Sequence, residues 1–194
     1  MTRVLLFAKA PRAGFVKTRL ARDVGEERAL AVYRTVGQGV VAAVAEYPLT
    51  VWYDPPDAEP EMRAWLGDHE CRSQLGDDLG RRMAHAFREH FARGDDGPVI
   101  VIGADTPDIS VTTIAEAIII LDRADVAIGP ALDGGYYLLG LNAPHEPLFE
   151  SVPWGTRDVL QVTVRRCQDL DLTVGRLGVR RDIDTVEDLR ALGM

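Results

Sequence analysis

The chain has 194 residues, 46% of them apolar and 27% charged, with a net charge of −8 and a pI near 5.0. That length and balance fit one soluble globular domain, predicted to span residues 1–194, and two domains would be cramped. The acidic excess argues against wrapping a nucleic-acid backbone, no apolar stretch approaches membrane-spanning length, and Val4 to Ala8 is too short for a secretory leader.

Val4 to Ala8 is a continuous apolar run, the pattern of a strand buried on both faces of a parallel sheet. The stretch that follows, Lys9 to Leu20, holds four cations, Pro11 and Gly14. Both lysines of the chain, Lys9 and Lys17, lie in it, against twenty arginines overall. Lysine is a compact ammonium that reaches a single phosphate oxygen, whereas arginine presents a wide planar fork. A basic, glycine-containing loop between a strand and a helix suits phosphate, although the spacing is not the Walker one. Lys9, Arg12, Gly14, Lys17 and Arg19 are therefore candidate phosphate contacts, with chance pairing of two lysines as the alternative.

Helical spacing runs from Glu26 to about Ala45, and Pro48 ends it before a second strand, Leu49 to Tyr53. Glu59 to Leu66 reads as a short helix and Glu70 to Gln74 as a weak strand. Leu79, Met83, Phe87 and Phe91 fall four apart, the core-facing stripe of a helix. Val99 to Ile102 is a central strand, Val111 to Leu121 a helix whose Ala117 to Leu121 reads as core, Val126 to Ile128 a strand, and Tyr136 to Leu141 another after a glycine turn. Thr156 to Cys167 and Val186 to Leu192 complete the helices. Such alternation predicts a three-layer α/β sandwich with a mostly parallel sheet and ligands beyond the carboxyl ends of its strands. The basic loop, Gln74 to Gly80 and Gly103 to Asp108 all leave such ends.

Asp105, behind four apolar residues and a glycine, is placed to emerge at that edge. Magnesium takes one or two carboxylates plus phosphate oxygens, so Asp105 suits a metal ligand; the alternative is a turn in which Asp108 or Ser110 caps the next helix. Asp182 and Asp184 alternate along an extended segment and share a face, which suits a second metal contact. A helix start competes, with Asp184 or Thr185 as N-cap and Glu187 or Asp188 completing a capping box. Asp133, Gly134, Gly135, Tyr136 and Tyr137 join a carboxylate to two permissive glycines and two rings; a hairpin turn is the bland explanation. With Trp154 these rings offer apolar faces for a sugar or base. No histidine has a metal-ligand partner at helical spacing, so histidine catalysis is unsupported. Cys71 and Cys167 lack metal or disulfide spacing and are expected as free thiols in a reducing cytoplasm.

Five motifs in order, K-A-P-R-A-G-F-V-K-T-R-L from Lys9, Q-L-G-D-D-L-G-R-R-M from Gln74, G-A-D-T-P from Gly103, D-G-G-Y-Y-L-L-G-L from Asp133 and D-I-D-T-V-E-D-L from Asp182, resemble a bacterial family of GT-A-fold glycosyltransferase-like proteins. Some members are labelled arsenosugar-biosynthesis glycosyltransferases, and the phospholactate and molybdenum-cofactor guanylyltransferases are more distantly similar. The resemblance implies a nucleotide-diphospho-sugar transferase fold, Asp105 as the metal-binding aspartate and the first loop as the phosphate contact. It adds Gln74, Gly76 and Asp78 to the nucleotide-binding candidates. Thr106 stands where such proteins commonly carry cysteine, and Gly155 where serine is usual.

Three functions compete on this reading. The first is glycosyl transfer from a nucleotide-diphospho-sugar to a small acceptor, with magnesium or manganese on Asp105, Asp182 and Asp184, and catalytic roles for Lys17, Asp105 and Asp133. In it Asp133, Gly134, Gly135, Tyr136 and Trp154 meet the acceptor. The second is nucleotidyl transfer from a nucleoside triphosphate to a phosphorylated small molecule, which the crowded basic loop favours. The third is a catalytically silent nucleotide-binding regulator.

Overall fold

The computed structural model describes residues 1–94 and 97–193. Seven strands form one sheet in the order β3-β2-β1-β4-β6-β5-β7. They are β1 (Arg3–Lys9), β2 (Leu49–Asp54), β3 (Glu70–Ser73), β4 (Val99–Gly103), β5 (Val126–Pro130), β6 (Tyr136–Leu141) and β7 (Val174–Arg176). β6 is antiparallel to β4 and β5; every other pairing is parallel. This is the mostly parallel α/β arrangement that the alternation predicts.

Among the described residues seven helices accompany the sheet: α1 (Thr18–Val24), α2 (Glu26–Ala43), α3 (Glu59–Leu66), α4 (Leu79–Phe91), α5 (Val111–Leu121), α6 (Val159–Asp169) and α7 (Val186–Ala191), with a 3-10 turn at Glu146–Phe149. The continuous apolar run of β1 is explained by burial on both sides. Val4, Leu6 and Ala8 enter one core with Tyr33 and Val36 of α2, Met62 of α3 and Ile114 of α5. Leu5 enters a second core with Phe87 of α4 and Cys167 of α6, and Phe7 packs against it. Alternate residues of a strand point to opposite faces, so each face needs its own helical layer.

Three expectations are corrected. α1 starts inside what reads as a loop and is missed there, since it spans only seven residues and its N-cap Lys17, with a left-handed backbone, supplies no side-chain cap. β7 is absent from the sequence reading because three residues carry too little pattern. Ile119, in the stretch expected as core, is 58% exposed, and Leu79 of the α4 stripe also meets solvent. Five consecutive apolar residues turn through more of a helix than its buried face, so Ile119 points outward, and Leu79 is the first residue of α4.

The far edge of the sheet is tied by charge. Glu70 of β3 accepts from Arg93 (2.7 Å), Arg72 (3.0 Å) and Thr50 (3.2 Å). Hydrogen bonds from Arg93 hold its carboxyl down at about 2 against the opposing effect of burial, with Arg72 adding to the depression. A depressed carboxyl stabilises the fold fully above its unfolded value, roughly 4.3, and loses that contribution as pH falls through the folded value. Glu70→Gln is therefore expected to lower the melting temperature at pH 6 to 7, with the gap to wild type closing between about pH 4 and pH 2. A pH series of thermal melts checks this, and a gap independent of pH would contradict it.

Candidate active site

At the carboxyl edge β1 ends at Lys9 and β4 at Gly103, while the reversed β6 starts there at Tyr136. Together they frame an open cleft of about 770 Å³. Its walls include Lys9, Lys17 and Arg19, Gln74 and Asp78, Asp105, Tyr136 and Trp154, and Asp182 with Asp184. Sequence-distant motifs thus converge on one cavity, as expected at the ligand edge of such a sheet.

Lys17 is the centre of the charged part. Its ammonium lies 3.1 Å from Asp105 Oδ2 and 3.1 Å from Asp184 Oδ1, and its side chain is only 5% exposed. Burial alone would depress this ammonium, yet Asp105 and Asp184 hold its pKa above the ordinary lysine value. Arg19 adds a longer contact, 3.7 Å, to Asp184 Oδ2. Gly103 makes room for this arrangement, because a Cβ there would stand 2.8 Å from Asp105 Oδ1.

Asp182 receives a short hydrogen bond from the Thr106 hydroxyl. Its carboxyl is nevertheless pushed up to about 7, first by burial, then by the neighbouring Asp105 and, more weakly, by Asp133. Repulsion between Asp105 and Asp182 is what a divalent cation relieves, so these two carboxylates could hold one. Among the described residues no group of three or more His, Cys, Asp or Glu side chains is arranged to hold a metal by itself.

Of the two explanations offered for the acidic C-terminal segment, the structure shows the helix start, and it places that start on Thr185. Thr185 is the N-cap of α7 and forms a capping box with Asp188. Asp184 is left to face Lys17, and Ile183 between the two aspartates is fully buried. The segment forms no strand. Ser110 likewise caps α5, leaving Asp105 free for the cleft, and Asp78 caps α4 by accepting from the Arg81 amide at 2.8 Å.

Several predicted contacts go elsewhere. Arg12 turns outward to Glu61 (2.6 Å) and Asp57 (3.5 Å) and does not line the cleft. Gly14, with φ of 73°, lies against Glu26. Gln74 lines the cleft, but its amide donates to the carbonyls of Trp52 (2.9 Å) and Ala8 (3.3 Å) and bridges strands. Gly76 sits against Arg81 and accepts from Arg82 Nε at 3.0 Å. Asp133 is exposed and receives the Gly135 amide at 2.9 Å within its turn, the geometry of the bland explanation. Gly134 packs on the backbone of Arg157, away from the cleft. Tyr136 and Trp154 do meet there, edge to face at 6.3 Å, and Trp154 lies over Gly80, where a Cβ would stand 2.4 Å from the indole nitrogen.

Two contributors escape the sequence reading of the site. The Tyr33 hydroxyl accepts from the Lys9 amide (2.9 Å) and donates to the Lys9 carbonyl (3.1 Å), fixing the end of β1. Thr106, noted only as a departure from the family pattern, orients Asp182. A polar tip on the core face of α2 and a hydroxyl beside Asp105 are the signals that could have found them.

This fold, with its cleft of basic loop and converging aspartates, is that of the nucleotide-diphospho-sugar transferases. The chain belongs to the family described as an uncharacterized protein conserved in bacteria (DUF2064), whose model matches residues 37–156. A crystal structure from Desulfovibrio desulfuricans G20, carrying the provisional name nucleotide-diphospho-sugar transferase, is 39% identical, with a TM-score of 0.93 over 98% of this chain and 85% of that one. A nucleotidyl transferase from Methanothermobacter shares the fold at 18% identity, with a TM-score of 0.62 over 99% and 95% of the two chains. A manganese complex from Mycobacterium tuberculosis H37Rv does so at 19% identity, with a TM-score of 0.53 over 98% and 96%. Among curated proteins none matches the chain.

The division of labour in the C-terminal segment sets up a comparison. Thr185→Ala is expected to lower stability by about 0.5–2 kcal/mol, the value of a lost cap. Asp184→Asn is expected to melt close to wild type, since the cap is untouched. Thermal melts of both variants check this, and equal losses would contradict the separation.

Proposed function

We propose that this protein transfers a sugar from a nucleotide-diphospho-sugar to a small acceptor, with a divalent cation. The observation that carries this reading is the buried Lys17 ammonium between Asp105 and Asp184 on the cleft wall, a mixed charge set suited to a metal-bound diphosphate. Asp105 and Asp182, with Asp184 nearby, would hold magnesium or manganese. When bound, the cation would neutralise the charge that develops on the departing nucleoside diphosphate.

The chain's own side chains supply the rest. Lys17, Lys9 and Arg19 bring positive charge to the phosphates. Tyr136 and Trp154 give the acceptor or sugar an apolar wall. Asp133 does not line the cleft, but it stands near enough to Asp182 to act on that carboxyl; it would take the proton of the acceptor hydroxyl as that oxygen bonds to the anomeric carbon and the bond to the diphosphate breaks. Two free thiols, Cys71 and Cys167, fit the cytoplasm, and among the described residues no helix is long and apolar enough to cross a membrane.

The second reading is nucleotidyl transfer, favoured by three cations of the loop after β1, Lys9, Lys17 and Arg19, which line one cleft and suit a leaving pyrophosphate. The diversion of Arg12 to Glu61 removes one of the four cations on which that reading leaned. Incubation with a panel of nucleotide-sugars and nucleoside triphosphates decides between them. Release of nucleoside diphosphate with acceptor present supports sugar transfer, release of pyrophosphate supports the second reading, and nucleotide binding without either product leaves a silent regulator.

Lys17→Ala is expected to weaken nucleotide binding by about 1.5–3 kcal/mol, the value of a hydrogen bond to a charged group. Asp105→Asn is expected to lose divalent-ion affinity in the presence of nucleotide while keeping the wild-type melting temperature, because the amide keeps the shape and loses the charge. Calorimetric titration of each variant checks both, and unchanged affinities would remove these residues from the site.

A further inference from the structure

Behind the turn that carries Asp133 to Tyr137 lies a second cavity, about 540 Å³, bordered by α6 and by Arg176 of the sheet-edge strand β7. Leu160 and Val164 form its apolar side, and Arg157, Arg165 and Arg176 supply three cations. Asp169 is the one carboxylate among the residues that line it.

Most arginines elsewhere in this acidic chain are paired. Arg12 meets Glu61, Arg63 meets Glu59, Arg82 meets Asp54, Arg88 meets Glu146 and Arg181 meets Asp188. Among the described residues, Arg157, Arg165 and Arg176 make no ion pair and no side-chain hydrogen bond. Three guanidinium groups around one concavity repel each other, and a chain with net charge −8 has carboxylates to spare for them. Leaving them unneutralised builds a local positive potential that an anion fills.

The chemistry narrows the anion. Guanidinium forks match carboxylate and phosphate in bidentate fashion. A carboxylate offers two oxygens, whereas a phosphomonoester offers three and a second negative charge, which suits forks arriving from two separate elements. The apolar side formed by Leu160 and Val164 accommodates an organic remainder.

Position links the groove to the cleft. Gly134 lines the groove, its carbonyl accepts from the Leu160 amide at 2.9 Å, and a Cβ on it would come within 2.2 Å of the Arg157 carbonyl oxygen. Two residues later Tyr136 and Tyr137 line the cleft. The groove and the cleft are therefore opposite sides of one turn, clamped to the start of α6.

We propose that the groove between α6 and β7 binds the phosphomonoester group of a small organic molecule, at a site separate from the cleft.

The test is a backbone-amide NMR titration of the whole chain with phenyl phosphate, and with benzoate and benzyl alcohol as the carboxylate and neutral counterparts. Phenyl phosphate is expected to give saturable shifts at Gly134, Leu160 and Gln161, benzoate weaker ones and benzyl alcohol none. In the Arg165→Glu/Arg176→Glu double variant the affinity is expected to fall at least about tenfold, while binding of magnesium and nucleotide at the amides of residues 17–19 is unchanged. Should the charge reversal impair folding, Arg165→Gln is expected to weaken phenyl phosphate alone, with a wild-type melting temperature. Absence of saturable groove shifts, equal binding of benzoate or benzyl alcohol, or shifts that survive the charge reversal would each overturn the assignment.

Discussion

A single buried ammonium organises the cleft. Lys17 belongs to the loop after β1, Asp105 to the end of β4 and Asp184 to the segment before α7, so one charge joins pieces separated by 88 and 167 positions of sequence. An ammonium with a side chain only 5% exposed is tolerable because two carboxylates stand 3.1 Å away; either one alone still pairs it, and with both gone the buried charge would be uncompensated. Lysine suits this place because its charge is compact, and a guanidinium fork would spread the same charge over a wider plane. The rarity of lysine in an arginine-rich chain and the geometry of the cleft are two views of one requirement.

The sheet explains why the partners meet. Parallel strands deliver their carboxyl ends, and the loops that follow them, to one edge. The reversed β6 between β4 and β5 adds something the parallel strands lack, since its amino end reaches the same edge and brings Tyr136 and Tyr137 with it. Aromatic wall and acidic wall thus face a shared space, though they come from strands running in opposite senses. The cores on the two faces, one under α2, α3 and α5 and the other under α4 and α6, keep that edge in place.

How much of this the sequence disclosed depended on how local the cause was. α3 and α5 begin and end where their signals stand, Pro60 in the first turn of one and the Ser110 cap of the other. Asp105 was legible for the same reason, since a strand, a glycine and a proline fix its surroundings within a few residues. Arg12 was misread because its partner Glu61 lies 49 positions away, and a cation in a basic loop carries no mark of which acid will claim it. β7 was hidden because its logic is tertiary: a Cβ on Gly175 would meet Ile120 at 2.2 Å, a contact invisible along the chain. Gly134 illustrates the same limit. Its need for closeness was readable, but the thing approached is the backbone of Arg157.

The seating of Trp154 has an optical consequence. Its indole rests on Gly80, in the first turn of α4, and meets the ring of Tyr136 edge-on, while Asp78 and Arg82 of the same helical start line the cleft. The other two tryptophans, Trp52 and Trp65, are almost fully buried and far less responsive to solvent. Occupation of the cleft therefore alters the surroundings of one half-buried fluorophore against a quiet background, and the native chain carries its own spectroscopic gauge of ligand arrival without any added dye.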